Sequence, residues 1–254
     1  MNYKGYLIDL DGTMYKGKEP IPEAPLFIQQ LRDKKIPFLF LTNNSTKTPE
    51  SAAKNLQENF GIKAFPNEVY TSSLATADYL KSLDNGNKVF VIGEEGLKQA
   101  LRNKGFVEDL NDPDYVVLGL DETATYEKFK IATLAIRKGA QYIVTNKDTN
   151  LPTEKGLVPG AGSLAALLTT ATRVEPTFVG KPETIIMEEA LKLLDLPAQD
   201  VLMVGDNYET DILAGINSDI DTLLVLTGFT NREDLADVSV QPTYTLNSLR
   251  EWDI

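Results

Sequence analysis

The chain has 254 residues, 42% of them hydrophobic, with 25 basic against 37 acidic side chains and a formal net charge of −12. It contains no histidine and no cysteine, which excludes histidine bases, phosphohistidine chemistry, thiolate nucleophiles, His/Cys zinc sites and disulfides. The acidic balance argues against nucleic-acid or anionic-membrane binding, since both need a basic face. Length and apolar content suit one large domain or two smaller ones. The first apolar run is too short for a signal-peptide core or a membrane span, so a soluble, cytoplasmic protein is expected.

In chain order, apolar runs of strand length fall at 6–10, 37–41, 88–92, 115–120, 141–145, 201–204 and 222–226, with helical stretches between them. This alternation predicts an α/β protein with parallel sheets buried on both faces. Thr48-Pro49-Glu50 offers an N-cap and a first-turn proline, and Gly61 stands where that helix should stop. Residues 123–138 predict a second helix with basic residues in its last turn, closed by Gly139.

Three of the runs end in polar residues able to reach a ligand: Asp9 and Asp11, then Thr42-Asn43-Asn44, then Gly205-Asp206-Asn207. In a strand, residues i and i+2 share a side, so Asp9 and Asp11 are expected to leave the sheet together at its carboxyl end, where open parallel sheets bind ligands. Gly12 lets the chain turn sharply after them. With histidine and cysteine absent, catalysis must use carboxylates, Lys, Arg, Ser, Thr or Tyr, with an oxygen-seeking metal such as Mg²⁺ as the natural partner. Residues 81–176 hold three strand-like runs and their own helices. They predict an inserted smaller module, leaving a core of residues 1–80 and 177–254.

Four motifs now stand in order: Asp9-Leu10-Asp11-Gly12-Thr13, Leu41-Thr42-Asn43-Asn44, Gly180-Lys181-Pro182, and the run from Gly205-Asp206-Asn207 to Asp211. In them, and through essentially its whole length, the chain resembles the haloacid dehalogenase superfamily of phosphatases. The likeness is to the NagD-like branch, which includes p-nitrophenylphosphatase-like and acid sugar phosphatases. The resemblance implies a Rossmann-like parallel-sheet core with an inserted α/β cap of the C2 type. It also implies a Mg²⁺-dependent hydrolysis of small phosphomonoesters through an aspartyl-phosphate.

Residue by residue, the resemblance makes Asp9 the nucleophile and Asp11 the acid that protonates the leaving alcohol and later the base that takes a proton from water. Asp11 also separates the chain from the superfamily's dehalogenases, which resemble it without this second aspartate. Mg²⁺ would be held by Asp9, the Asp11 main-chain carbonyl and Asp206, with Asp211 and Asn207 outside that shell; Asp211 is alternatively an ordinary helix N-cap. Thr42, Asn43, Asn44 and Lys181 would bind the phosphate, although Asn-rich strand exits are also common turns.

In the insertion, Thr145-Asn146-Lys147-Asp148 is either a substrate loop, with Asn146 and Asp148 as contacts, or a capped turn facing solvent. The segment 159–163 could present N–H groups to an anion, or Ser163 could simply cap a helix. Tyr15, Lys16 and Gly17 are candidates for a flap. A homodimer through the cap is compatible with the resemblance. Two other functions compete: phosphoryl transfer to another acceptor, as in mutases, and a non-catalytic phospho-ligand-binding protein. The short interval between Asp11 and Thr42 disfavours the first, and the length and inserted module disfavour a receiver-type sensor.

Overall fold

The computed structural model describes residues 3–153 and 155–254. The chain starts with β1 (Gly5–Ile8), a small hairpin of β2 (Tyr15–Lys16) and β3 (Glu19–Pro20), α1 (Ala24–Asp33), β4 (Phe38–Thr42), α2 (Pro49–Phe60) and β5 (Val69–Thr71). It continues with α3 (Ser72–Leu83), β6 (Lys88–Ile92), α4 (Glu95–Asn103), β7 (Val107–Glu108), β8 (Tyr115–Leu118), α5 (Tyr126–Lys138) and β9 (Gln141–Val144). A hairpin of β10 (Asn150–Thr153) and β11 (Gly156–Pro159) follows, then α6 (Ala161–Thr172), β12 (Thr177–Phe178) and α7 (Thr184–Leu194). Last come β13 (Val201–Gly205), a π-helical turn over Tyr208–Ile212, α8 (Leu213–Asn217), β14 (Asp221–Val225) and β15 (Tyr244–Leu246).

These elements form two compact units. The first comprises Met1–Thr42, Pro49–Tyr70 and Lys181–Ile254, the second Asn43–Thr48 and Thr71–Gly180. In the first unit the strand order is β15-β14-β13-β1-β4-β5. β1 is parallel to both of its neighbours, and β14 is parallel to β13 and β15. Every residue of β1, β4 and β13 is buried, as expected for strands covered on both faces, and this is why they read as unbroken apolar runs. α1 turns Phe27, Ile28 and Leu31 into the core with Ile8, Phe40, Leu56 and Val204, a helical stripe of the usual i, i+1, i+4 spacing.

The second unit carries its own sheet in the order β12-β9-β8-β6-β7, parallel at each of its pairings. Thr71 caps α3 by accepting from the Leu74 N–H at 3.2 Å. The helix expected from residue 123 starts three positions later, at Tyr126. Asp121 there forms a buried turn, accepting from the Thr123 N–H and hydroxyl and from Lys128 at 2.6 Å, while Thr125 caps the helix. Gly139 closes it in the left-handed region, φ 110°.

The expected insertion of 81–176 is too short at both ends. Its first boundary cuts α3, which packs on α4 of the second unit. Thr177 and Phe178 pair with Ile143 and Val144 as an edge strand, and Asn43–Thr48 belongs to the same unit. The apolar runs mark only the long strands, so a helix preceding the first of them and a two-residue strand after the last leave no such signal. Among the described residues no helix is long and apolar enough to cross a membrane.

The central position of β1 fixes an expected outcome for stability. Leu7→Ala, at a fully buried site, should cost about 2–5 kcal/mol. Leu26→Ala, at a side chain 62% exposed on α1, should change stability by no more than about 0.5 kcal/mol. Urea unfolding of the two variants checks the contrast.

Candidate active site

The carboxyl ends of β1, β4, β13 and β14 supply the site's pieces in the first unit. Asp9 continues the ladder past the end of β1, its N–H donating to the Val204 carbonyl at 2.9 Å. The chain then turns tightly: Leu10 O accepts from the N–H of Met14 at 2.8 Å, and Gly12 N–H donates to Tyr15 O at 2.6 Å. Gly12 sits at φ 94°, and a Cβ there would run into the Asp206 carboxylate, so both conformation and space demand glycine.

Because β1 ends at Ile8, strand alternation does not carry through to Asp11. The two aspartates differ in burial: Asp9 is buried while Asp11 is exposed, with its Oδ1 accepting from the Gly17 N–H at 2.9 Å.

Lys181 enters from the turn before α7 and is almost fully buried. Its ammonium donates to Asp9 Oδ1 at 2.6 Å, Asp211 Oδ1 at 2.7 Å and the Leu41 carbonyl at 3.0 Å. Asp211 lies inside the π-helical turn, and its Oδ2 accepts from the N–H groups of Asp206 and Asn207 at 3.2 and 3.1 Å. Asn207, not Asp211, is the cap of that turn, accepting from the Glu209 N–H at 3.0 Å. Asp206 is held from two sides, by the Phe229 N–H on Oδ2 at 2.7 Å and the Thr13 hydroxyl on Oδ1 at 3.3 Å.

One oxygen each of the buried Asp9, Asp206 and Asp211 lie within 4.8 Å of one another. Burial first, then the charges of Asp211 and Asp206, holds Asp9 well above the ordinary carboxylate range, with Lys181 opposing them. Burial and Asp211 push Asp206 up to about 7. Burial alone would depress the Lys181 ammonium, but Asp211 and Asp9 outweigh it and raise its pKa.

Three carboxylates against one ammonium leave the cluster short of positive charge. All the donors are hard oxygens, the set that suits Mg²⁺. Since Asp211 is committed to Lys181 and to two N–H groups, Asp9 and Asp206 are the side chains best placed to hold such an ion.

Thr42 is buried at the end of β4. The next residues turn into the second unit, where Asn43 Nδ2 donates to both Asp148 oxygens at 3.2 Å. Asn146 Nδ2 donates to Asn43 O at 2.8 Å, and Asn146 Oδ1 accepts from the Asp148 N–H at 3.1 Å. Asn44 closes a turn: its Oδ1 accepts from the Thr46 N–H and hydroxyl, each at 2.9 Å.

The expected anion site at 159–163 is contradicted. Gly160 and Gly162 already donate their N–H groups to Thr149 O and Asp148 O, both at 2.9 Å. Ser163 does not cap α6, which starts at Ala161; its hydroxyl donates to Thr149 O at 2.7 Å.

Sequence reasoning missed the segment Thr227–Thr230 altogether. Besides the Phe229 bond, Thr230 N–H donates to Asp206 O at 3.1 Å, the Thr230 hydroxyl accepts from the Tyr208 N–H at 2.8 Å, and the Thr227 hydroxyl donates to Gly12 O at 2.6 Å. Its signal was available: a glycine between hydroxyl residues just after a buried parallel strand, at the same sheet end as the other motifs.

Residues 6–107 match the family of haloacid dehalogenase-like hydrolases, and residues 178–252 match a HAD-hydrolase-like family. The 5′-nucleotidase YutF of Bacillus subtilis is 51% identical over 98% of this chain and 97% of its own. The chain belongs to the haloacid dehalogenase-like hydrolases. Within that family, an acid sugar phosphatase of Staphylococcus saprophyticus is also 51% identical, over 98% of this chain and 96% of its own. Among solved structures, a thermostable NPPase from Geobacillus stearothermophilus is 51% identical with a TM-score of 0.93, covering 99% of this chain and 98% of that one. NagD from E. coli is 31% identical with a TM-score of 0.95, covering 100% and 99%. These relatives place the chain among phosphoric monoester hydrolases.

The raised Asp206 has a thermodynamic consequence. Folded Asp206 keeps its proton up to about 7, whereas the ordinary value is 3.8. The folded state therefore binds more protons across that window, and stability of the metal-free protein falls as pH rises through it. A divalent cation competes with those protons for the folded state only. Mg²⁺ should thus raise Tm more at pH 8 than at pH 5, and Asp206→Asn should lose most of that rise. Thermal melts with Mg²⁺ against EDTA check both.

Proposed function

We propose that the chain is a Mg²⁺-dependent phosphatase that hydrolyses small phosphomonoesters by way of a phosphorylated Asp9. The observation that supports this best is the ammonium of Lys181 shared between the buried Asp9 and Asp211, with Asp206 within reach of both. A carboxylate can attack phosphorus only where the anionic repulsion between them is offset. Lys181 offers that on one side of Asp9. Mg²⁺, held by Asp9, Asp206 and in family terms the Asp11 carbonyl, would supply Lewis-acid screening of the phosphoryl oxygens.

Asp9 forms the new O–P bond as the ester O–P bond breaks, and Asp11 gives the departing oxygen a proton. Asp11 then takes a proton from the water that attacks phosphorus, which frees Asp9 and releases inorganic phosphate. Thr42, buried at the end of β4, takes the role of phosphate contact that the family resemblance gives it. Lys181 orients Asp9 and favours its anionic form against the burial and acidic neighbours that oppose it.

The second unit is assigned the role of a cap that reads the leaving group, with the loop of Asn146, Lys147 and Asp148 as its contact. Relatives named for acid sugar phosphates, p-nitrophenyl phosphate and 5′-nucleotides support a small phosphate ester as substrate. Sugar and sugar-acid phosphates are our first choice. The cytoplasmic setting and a homodimer through the second unit rest on composition and on the family resemblance.

Asp9→Asn should abolish phosphate release from p-nitrophenyl phosphate, and EDTA should do the same reversibly to the wild type. Equal turnover by wild type and Asp9→Asn would overturn the reading. Ranking kcat/KM over sugar, sugar-acid, glycerol and nucleoside phosphates tests the substrate class, with a preference for nucleoside esters counting against our first choice.

A further inference from the structure

Asp11 stands past the end of β1 and is exposed, so the strand ladder does not fix its carboxylate. A different element reaches it. The β2–β3 hairpin donates the Gly17 N–H to Asp11 Oδ1 at 2.9 Å, and this hairpin is itself anchored three times. Gly12 N–H donates to Tyr15 O at 2.6 Å, and Lys16 Nζ reaches the Thr227 carbonyl at 3.4 Å. The Tyr15 ring lies flat on Phe60 of α2, with centroids 4.2 Å apart and planes 5° apart, a stacked aromatic pair that adds to the burial of both rings.

Thr227 in turn donates its hydroxyl to Gly12 O at 2.6 Å, so the hairpin, the nucleophile turn and the segment holding Asp206 form one connected frame. Gly17 sits at φ 59° with nothing within 4 Å of where its Cβ would be. The glycine therefore serves the backbone conformation that aims its N–H, not the space around it.

We propose that the tip of the β2–β3 hairpin positions Asp11 for proton exchange, with Gly17 and Tyr15 as the positioning residues. The inference rests on the phosphatase reading above and adds to it a way of holding the acid in place. Its chemical consequence is selective. An alkoxide leaving group needs the Asp11 proton as the ester O–P bond breaks, whereas p-nitrophenolate leaves with little help. Since kcat/KM reports the steps up to that first cleavage, a misplaced Asp11 should depress kcat/KM for an alkyl ester more than for p-nitrophenyl phosphate.

The experiment compares kcat/KM for glycerol phosphate and p-nitrophenyl phosphate in five variants. Asp11→Asn should lose on the order of 10²-fold with glycerol phosphate and much less with p-nitrophenyl phosphate. Gly17→Val, forced out of the left-handed region, should show the same bias at about tenfold, as should Tyr15→Ala. Gly17→Asn, which tolerates that region, and Tyr15→Phe, which keeps the stack, should stay near wild type on both substrates.

Equal losses on both esters, or no loss, in both Gly17→Val and Tyr15→Ala would overturn the positioning role. The same holds if Asp11→Asn itself shows no bias. Failure of the phosphatase reading is separate, because it would appear as Asp9→Asn retaining activity on both esters.

Discussion

An ammonium buried as deeply as Lys181 stays charged only where anions surround it, and here two carboxylates and a carbonyl do so at 2.6 to 3.0 Å. Desolvating such a charge costs several kcal/mol, and removing either partner leaves the other uncompensated in a low-dielectric setting. The cluster is therefore a mutual requirement rather than a set of independent ion pairs. Asp211 carries the constraint further. With one oxygen on Lys181 it uses the other to hold the N–H groups of Asp206 and Asn207, so the cation that sits against Asp9 also shapes the loop bearing Asp206. Even so, three acids face one base, and the raised pKa values of Asp9 and Asp206 express the charge still missing.

Parallel topology explains why these groups meet. β1 lies between β13 and β4, so residues remote in sequence emerge side by side at one sheet end. The close approach of the loops has a steric condition, met twice by glycine. A Cβ on Gly12 or on Gly228 would overlap the Asp206 carboxylate, and Asp206 could not then accept from both Thr13 and Phe229. The site is thus built by backbone as much as by side chains, with main-chain N–H groups supplying bonds to Asp11, Asp206 and Asp211.

The long buried strands were legible because residues covered on both faces leave continuous apolar runs, and each of the seven runs overlaps an observed strand. The two-residue strands β7 and β12 and the exposed four-residue strands of the β10–β11 hairpin were not, since so few residues at an edge or in solvent carry no such pattern. Asp9, Lys181, Asp206 and Asp211 were legible from motif order and do converge. The unequal burial of Asp9 and Asp11 was not legible, because the strand ends at Ile8 and alternation says nothing of exposure in the turn that follows. Ser163 and the 159–163 segment misled for a related reason: whether an N–H is available depends on which carbonyl lies opposite, and Thr149 and Asp148 supply those carbonyls from an earlier loop. Thr227–Thr230 escaped notice because hydroxyl and glycine residues are ordinary in loops, and their bonds to Asp206 and Gly12 are long-range.

The loop after β9 is held in place by its own side chains. Asn43 binds both oxygens of Asp148, and Asn146 binds back to Asn43 and to the Asp148 N–H. These three side chains, which the family resemblance assigns to substrate, are engaged with one another, so the loop's backbone is set by bonds already made. A contact surface fixed in advance loses little conformational entropy when a ligand arrives. Lys147, between two residues whose polar atoms hold the turn, is exposed. The turn is thus fixed by the second unit's own side chains before anything binds to it.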